Sequence, residues 1–160
     1  MRRSDREITD IDEITKIIEK CDVCRIGIFD DEYPYIIPLN FGHTLKNGKL
    51  SLYFHCTLEG KKLDLINKNN KVAFEMDCST ELISSDVPCD YTMTYESVCG
   101  NGVIEILSDN NDKKINGLKH IMKNYSNKDY SNDDFNDEIL KITTVLQLKV
   151  NTIVGKALKK

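Results

Sequence analysis

The sequence predicts a mainly β protein with peripheral helices, an antiparallel barrel of six to seven strands. Three observations carry this. Most apolar runs alternate with period two, the signature of half-buried strands. Asn47-Gly48 sits between two such runs, a strong short-range hairpin signal. The helical stretches separate blocks of strands instead of following each strand singly, so the pattern is not that of βαβ units.

The elements follow in order. "DIDEITKIIEK" sets Ile11, Ile14, Ile17 and Ile18 at helical spacing, with Asp10 as the N-cap. "CRIGIFD" and "YIIPLNF" read as a hairpin around the polar turn "DEYP". "HTLKNGKLSLYFHC" supplies the next two strands, and a helix over roughly residues 58–68 follows, with Thr57 as its cap. "VAFEMDC" is a fifth strand and "TELISSDVPCD" a loop. "YTMTYESVCGNGVIEIL" is a long strand or bent pair interrupted by Gly100 and Gly102. A helix over residues 109–125 carries Ile115, Leu118, Ile121 and Met122 on one face. The acidic stretch "SNKDYSNDDFND" is a surface loop, "TTVLQLKV" the last strand, and "VGKALKK" a short basic tail.

Size and composition bound the function. With 160 residues, one domain can bury a real core without staples. A net charge of −4 is not that of a dedicated nucleic-acid binder. No apolar run reaches the ~18 residues of a membrane span, and the N-terminal stretch lacks a signal peptide's apolar core. The expectation is a cytoplasmic protein with reduced thiols. Of the six cysteines, Cys56, Cys78 and Cys99 lie in strand-like runs, where a thiol behaves as a small hydrophobe. Cys21 and Cys24 form a CxxC at a helix-to-strand junction. Neither a second CxxC nor a histidine pair completes a zinc site, so no metal is expected.

The chemistry concentrates in "LYFHCTLEGKKLDLI". A strand delivers His55 at its end, and Gly60, Lys61 and Lys62 open the helix that follows. Lysine is mildly disfavoured in a first turn, where the dipole is already positive. Free amides flanked by two lysines suit a phosphate, and Gly60 lets it approach the backbone. The ordinary alternatives are two solvated lysines and a hydrogen-bonded rim histidine. The spacing is not that of a Walker loop.

Several stretches together resemble a known family. "MRR", "DVCRIGIFDDEYPYIIPLNF", "NGKLSLYFHCTLEGKKLDLINKNNKVAFEMD", "YESVCGNGVIEIL" and "VGKA" occur in this order in nitroimidazole-resistance (Nim-type) flavoproteins of the pyridoxamine 5′-phosphate oxidase-like superfamily. The resemblance implies an FMN-binding split barrel and a homodimer with FMN at the interface. It implies ring contacts at Pro38, Leu39 and Asn40, and a ribityl phosphate near Phe54, His55, Gly60, Lys61 and Lys62. Glu96 and Ser97 would approach the flavin from a partner subunit. The implied activity is electron transfer from reduced flavin to a small organic acceptor, as in a 5-nitroimidazole reductase, with His55 as the reactive residue. Cys56-Thr57 departs from the small residues that commonly follow this histidine. Two other readings remain open. One is a pyridoxamine phosphate oxidase-like enzyme, disfavoured because its arginine-rich C-terminus is missing. The other is a non-catalytic flavin- or haem-binding module, with His43 and His55 as conceivable haem ligands.

Overall fold

The computed structural model describes residues 4–107 and 110–158. The "MRR" stretch, the first residue of the helix expected from 109, and the last two lysines of the basic tail lie outside them. The chain folds as one antiparallel eight-stranded sheet with peripheral helices. Its strands are β1 (Glu7–Ile8), β2 (Cys24–Ile28), β3 (Tyr35–Leu39), β4 (Gly42–Lys46), β5 (Lys49–Cys56), β6 (Lys71–Ile83), β7 (Thr92–Ile106) and β8 (Thr144–Leu158). The spatial order is β3-β2-β6-β7-β8-β5-β4, with β1 added to β8. The helices are α1 (Ile11–Ile18), α2 (Lys61–Lys68), α3 (Asn111–Tyr125) and α4 (Asp137–Lys141).

Local signals account for most boundaries. Asp10 caps α1 by accepting from the Asp12 and Glu13 amides at 3.0 and 2.9 Å. The helix then buries Ile14, Ile17 and Ile18 against the sheet, where they join Ile26, Phe41, Phe54, Met76 and Leu148 in the core. Asn47 and Gly48 both have positive φ, as the tight β4–β5 turn requires. Gly42 is needed for a different reason. A Cβ there would stand 2.2 Å from the backbone carbonyl of His120, so only glycine lets β4 pass under α3.

The structure corrects several expectations. Among the described residues the strands number eight, because Glu7–Ile8 pairs with Gly155 and Lys156. The supposed loop "TELI" continues β6, and the supposed basic tail continues β8 as far as Leu158. In both cases a long antiparallel neighbour extends the ladder through residues whose composition is too polar to announce a strand. β7 runs unbroken from Thr92 to Ile106, with its irregularity at Asn101–Gly102 appearing only as a register shift against β8. A short helix, α4, stands at the end of the expected acidic loop, and Asn136 caps it. The buried Lys114 ammonium donates to the Leu140 carbonyl and ties α4 to α3. All six cysteines are free thiols.

Where α1, α3 and β4 meet, two imidazoles are held neutral. Burial pushes His43 below its ordinary value, helped by Lys123 and opposed by Glu19, whose carboxylate lies 3.9 Å away. Burial also lowers His120, as do Lys46, Lys123 and His43. Its Nε2 is buried without a hydrogen-bond partner, and its ring stacks on Tyr53. A depressed folded-state pKa means the unfolded chain binds the protons more readily. Stability is therefore full above the ordinary imidazole value of 6.5 and falls as pH drops from there through the folded values. Urea titrations between pH 7 and about pH 5.5 should show this loss, with a shallower slope in His43→Gln and in His120→Gln. Slopes equal to the parent's would remove these imidazoles as the cause.

Candidate functional site

The site is assembled from one strand end, one helix start and one edge strand. β5 pairs with β8 from Ser51↔Lys149 to Cys56↔Thr144, and this register sets the alternation of its last residues. Phe54 is fully buried, His55 is exposed and Cys56 is half-buried. The Cys56 thiol is pushed up by burial, while Lys62 beside it pulls the other way. Phe54 is thus a core residue, and of the pair only His55 reaches solvent.

After Cys56 the chain makes a short loop before α2. The Thr57 hydroxyl donates to the Glu59 carbonyl at 2.9 Å and does not cap the helix. Gly60 is the N-cap, with φ of 136° and no side chain to bond the first amides. The helix begins three residues later than expected, so Glu59 lies in the loop and not in the first turn. The Gly60 carbonyl accepts from the Leu63 and Asp64 amides at 2.9 and 3.3 Å. That leaves the amides at Lys61 and Lys62 as the open donors of the first turn. A Cβ at Gly60 would meet nothing within 4 Å, so the approach to these amides is clear.

Lys61 answers why a lysine stands at a helix start. Its ammonium lies 2.6 Å from the Asp30 carboxylate and 5.2 Å from the centre of the Tyr35 ring. Asp30 holds the Lys61 pKa above its ordinary value. This contact draws the start of α2 to the β2–β3 turn and the beginning of β3. Asp30 and Tyr35 escaped sequence reasoning, although the acidic "DDEYP" was the available counter-charge.

β3 borders this region as the last strand on its side of the sheet. Pro38, which cannot donate to a ladder, is tolerated because the strand is at the edge. Pro38 is exposed opposite Arg25, whereas Leu39 turns inward opposite Cys24 and packs on the core. The Asn40 side chain donates to the Asp22 carbonyl at 3.2 Å, which holds it past the strand end. Beside the β2–β3 turn opens a mostly apolar cavity of about 510 Å³, lined by Phe29, Asp30, Tyr33, Pro34, Ala73 and Asn101. Its volume lies in the range of small-molecule sites.

Glu96 and Ser97 belong elsewhere in the chain. Successive strand residues face opposite sides, so the two cannot point into one pocket. Glu96 is buried, bonded to Lys20 at 2.6 Å and to Ser79 at 2.8 Å. Ser97 lies in the β7 ladder between Asp77 and Lys156. Among the described residues no group of three or more His, Cys, Asp or Glu side chains could hold a metal, and no helix is long and apolar enough to cross a membrane.

Comparison with known proteins adds the lineage. The chain is 29% identical to a Bacteroides thetaiotaomicron protein described as a 5-nitroimidazole antibiotic resistance protein, over 94% of this chain and 86% of that one, with a TM-score of 0.80. The fold is shared with the flavocytochrome Anf3 of Azotobacter vinelandii (TM-score 0.78, 13% identity, 100% of this chain and 72% of that one). It is also shared with an FAD and heme binding protein of Mycobacterium smegmatis (TM-score 0.78, 15% identity, 97% and 74%). No curated protein sequence matches. The family model for pyridoxamine 5′-phosphate oxidase matches residues 10–157, and the chain belongs to that family.

Proposed function

We propose that the protein is an FMN-dependent oxidoreductase that passes electrons from reduced flavin to a small organic acceptor, in the manner of a nitroreductase. The observation that carries this reading is the start of α2. Two open amides, an unobstructed Gly60 and two lysine ammoniums form a donor set suited to a phosphate dianion, one strand end away from an exposed histidine. The likeness to the B. thetaiotaomicron protein supports the nitro-group acceptor, and the flavin-binding neighbours support the cofactor class.

The residues have separate tasks. Lys61 and Lys62 hold the phosphate, with Lys61 exchanging Asp30 for the ligand. The edge of β3 at Pro38, Leu39 and Asn40 offers backbone groups to the ring. FMN, when bound, supplies the electrons. His55 stands in solvent beside the phosphate site and delivers a proton to the acceptor or binds its anionic group; imidazole titrates near neutral pH and suits either role.

A second copy of this chain completes the site in this reading. Phe29, Tyr33 and Ile36 are 72%, 72% and 66% exposed around the β2–β3 hairpin, more large apolar surface than a short hairpin leaves in water without reason. Ser97 would then contribute from across the interface, while Glu96 stays committed to Lys20 and Ser79 within its own chain. Sedimentation should give a dimer, and Ile36→Glu should shift it towards monomer. An unaltered parent monomer would refute the arrangement.

Two further measurements bear on the site. Lys61→Ala/Lys62→Ala should weaken FMN binding roughly ten- to hundredfold, the loss of charge-assisted hydrogen bonds to the phosphate. Asp30→Asn should tighten it, because the competing carboxylate is gone. Unchanged affinity in the double variant would remove the anchor.

His55→Ala separates catalysis from binding. Flavin content and folding should stay near those of the parent, while turnover per bound flavin falls about 10²–10⁴-fold, the range for a lost general acid. Equal normalised turnover would remove His55 from the mechanism; flavin bands with no acceptor turnover in the parent would leave a binding module, and a Soret band would point to haem.

A further inference from the structure

The last turn of α1 brings together two thiols that are far apart in sequence. Cys21 Sγ donates to the Ile17 carbonyl at 3.3 Å, and Cys78 Sγ, from within β6, reaches the same oxygen at 3.9 Å. The two sulfurs thus converge on one backbone oxygen from elements far apart in sequence. Cys24, the other cysteine of the CxxC, faces elsewhere: it is fully buried opposite Leu39, and its charged neighbours are Glu75 and Arg25. The sequence pairs Cys21 with Cys24, and the fold pairs it with Cys78. We propose that Cys21 and Cys78 are a reversible oxidation site, forming an intramolecular disulfide between the segment just after α1 and β6 with hydrogen peroxide as the oxidant.

The surroundings divide the roles. Cys78 is half-buried, so an oxidant reaches it. The Ser79 hydroxyl is 3.6 Å from the Cys78 sulfur but 2.8 Å from Glu96, so its single proton goes to the carboxylate. Cys21 is 1% exposed, and burial together with Cys78 pushes its thiol well above the ordinary value. It is a poor first nucleophile and a suitable second one.

The chemistry balances with one peroxide. The Cys78 thiolate attacks a peroxide oxygen, the O–O bond breaks, and the departing hydroxide takes up the thiol's proton as water. Cys78 is now a sulfenic acid. The Cys21 sulfur attacks the Cys78 sulfur, the S–O bond breaks, and the hydroxyl leaves as water with the Cys21 proton. Two thiols and one peroxide give one disulfide and two waters, the two electrons passing from sulfur to oxygen.

The backbone can accept the new bond. β6 loses register with β7 between Cys78 and Glu81, and Ser79 has a positive φ, so the chain just after Cys78 is not locked in a ladder. Losing both S–H donors leaves no orphan either, because the Ile17 carbonyl still accepts from the Lys20 amide at 3.0 Å.

The test treats the reduced, full-length protein with hydrogen peroxide, alkylates the remaining thiols, and maps non-reduced peptides by mass spectrometry. The expected product is a Cys21–Cys78 linked peptide within one chain, lost on adding dithiothreitol, absent in Cys78→Ser and retained in Cys24→Ser. A Cys21–Cys24 link, a link only between chains, or oxidation confined to the exposed Cys89 and Cys99 would overturn the proposal. The parent map alone decides between these outcomes if Cys78→Ser does not fold.

Discussion

The register between β5 and β8 is the constraint on which the rest of the site depends. Cys56 opposes Thr144 and His55 opposes Val145, fixed by a ladder that runs back to Ser51. A slip of one residue would turn His55 inward and expose Phe54. That slip is costly because Phe54 is fully buried in the core between strands and α1. Burial of one aromatic side chain is worth about 2–3 kcal/mol, so core packing enforces the exposure of a histidine it never touches. The same register fixes where the loop to α2 begins, and hence where the helix presents its first amides.

The position of that helix depends on a second contact, the Lys61–Asp30 pair. Lys61 is exposed, so the pair contributes little to folding. Its effect is positional. A cation beside a helix start is unfavourable towards the dipole, and Asp30 neutralises it from the β2–β3 turn. The donor set is thereby kept near β3 while its charge is masked by a carboxylate that an anion can displace. Lys62 has a different neighbour, the half-buried Cys56, whose thiol it draws towards the thiolate against burial. A cysteine after the histidine therefore changes the electrostatics next to His55, which a small apolar residue would not do.

Much of the fold was legible because its signals are local. Asp10 caps α1, Asn47-Gly48 turns β4 into β5, and period-two runs mark β2, β3 and β5. What escaped was set by contacts distant in sequence. "TELI" and "NTIVGKAL" have no strong strand pattern of their own and become strand because β7 offers a long antiparallel template to both. α2 starts three residues beyond the point its sequence suggests, since Thr57 bonds the Glu59 carbonyl and the glycine takes the cap position instead. Gly60, Lys61 and Lys62 could be singled out from the sequence, but Asp30 and Tyr35 could not, because nothing local links them to residue 61. Glu96 and Ser97 are adjacent in sequence, and the pleat of β7 separates them onto opposite faces.

The separation of Glu96 from Ser97 links the site region to the thiol pair. Glu96 is nearly inaccessible, and a carboxylate so buried needs compensation. It receives that from the Lys20 ammonium and the Ser79 hydroxyl. The two ligands flank the two cysteines: Lys20 precedes Cys21, and Ser79 follows Cys78. The ion pair and the thiol contact therefore clamp the same two segments, the end of α1 and the irregular stretch of β6. Ser79 adopts a left-handed conformation that costs a non-glycine residue about 1 kcal/mol, and its bond to Glu96 offsets the strain. Charge, strain and sulfur chemistry thus converge at one junction, on strands whose outer face carries Ser97. A covalent link there would stiffen β6 and β7 from the end opposite the β2–β3 cavity, without altering any residue that lines it.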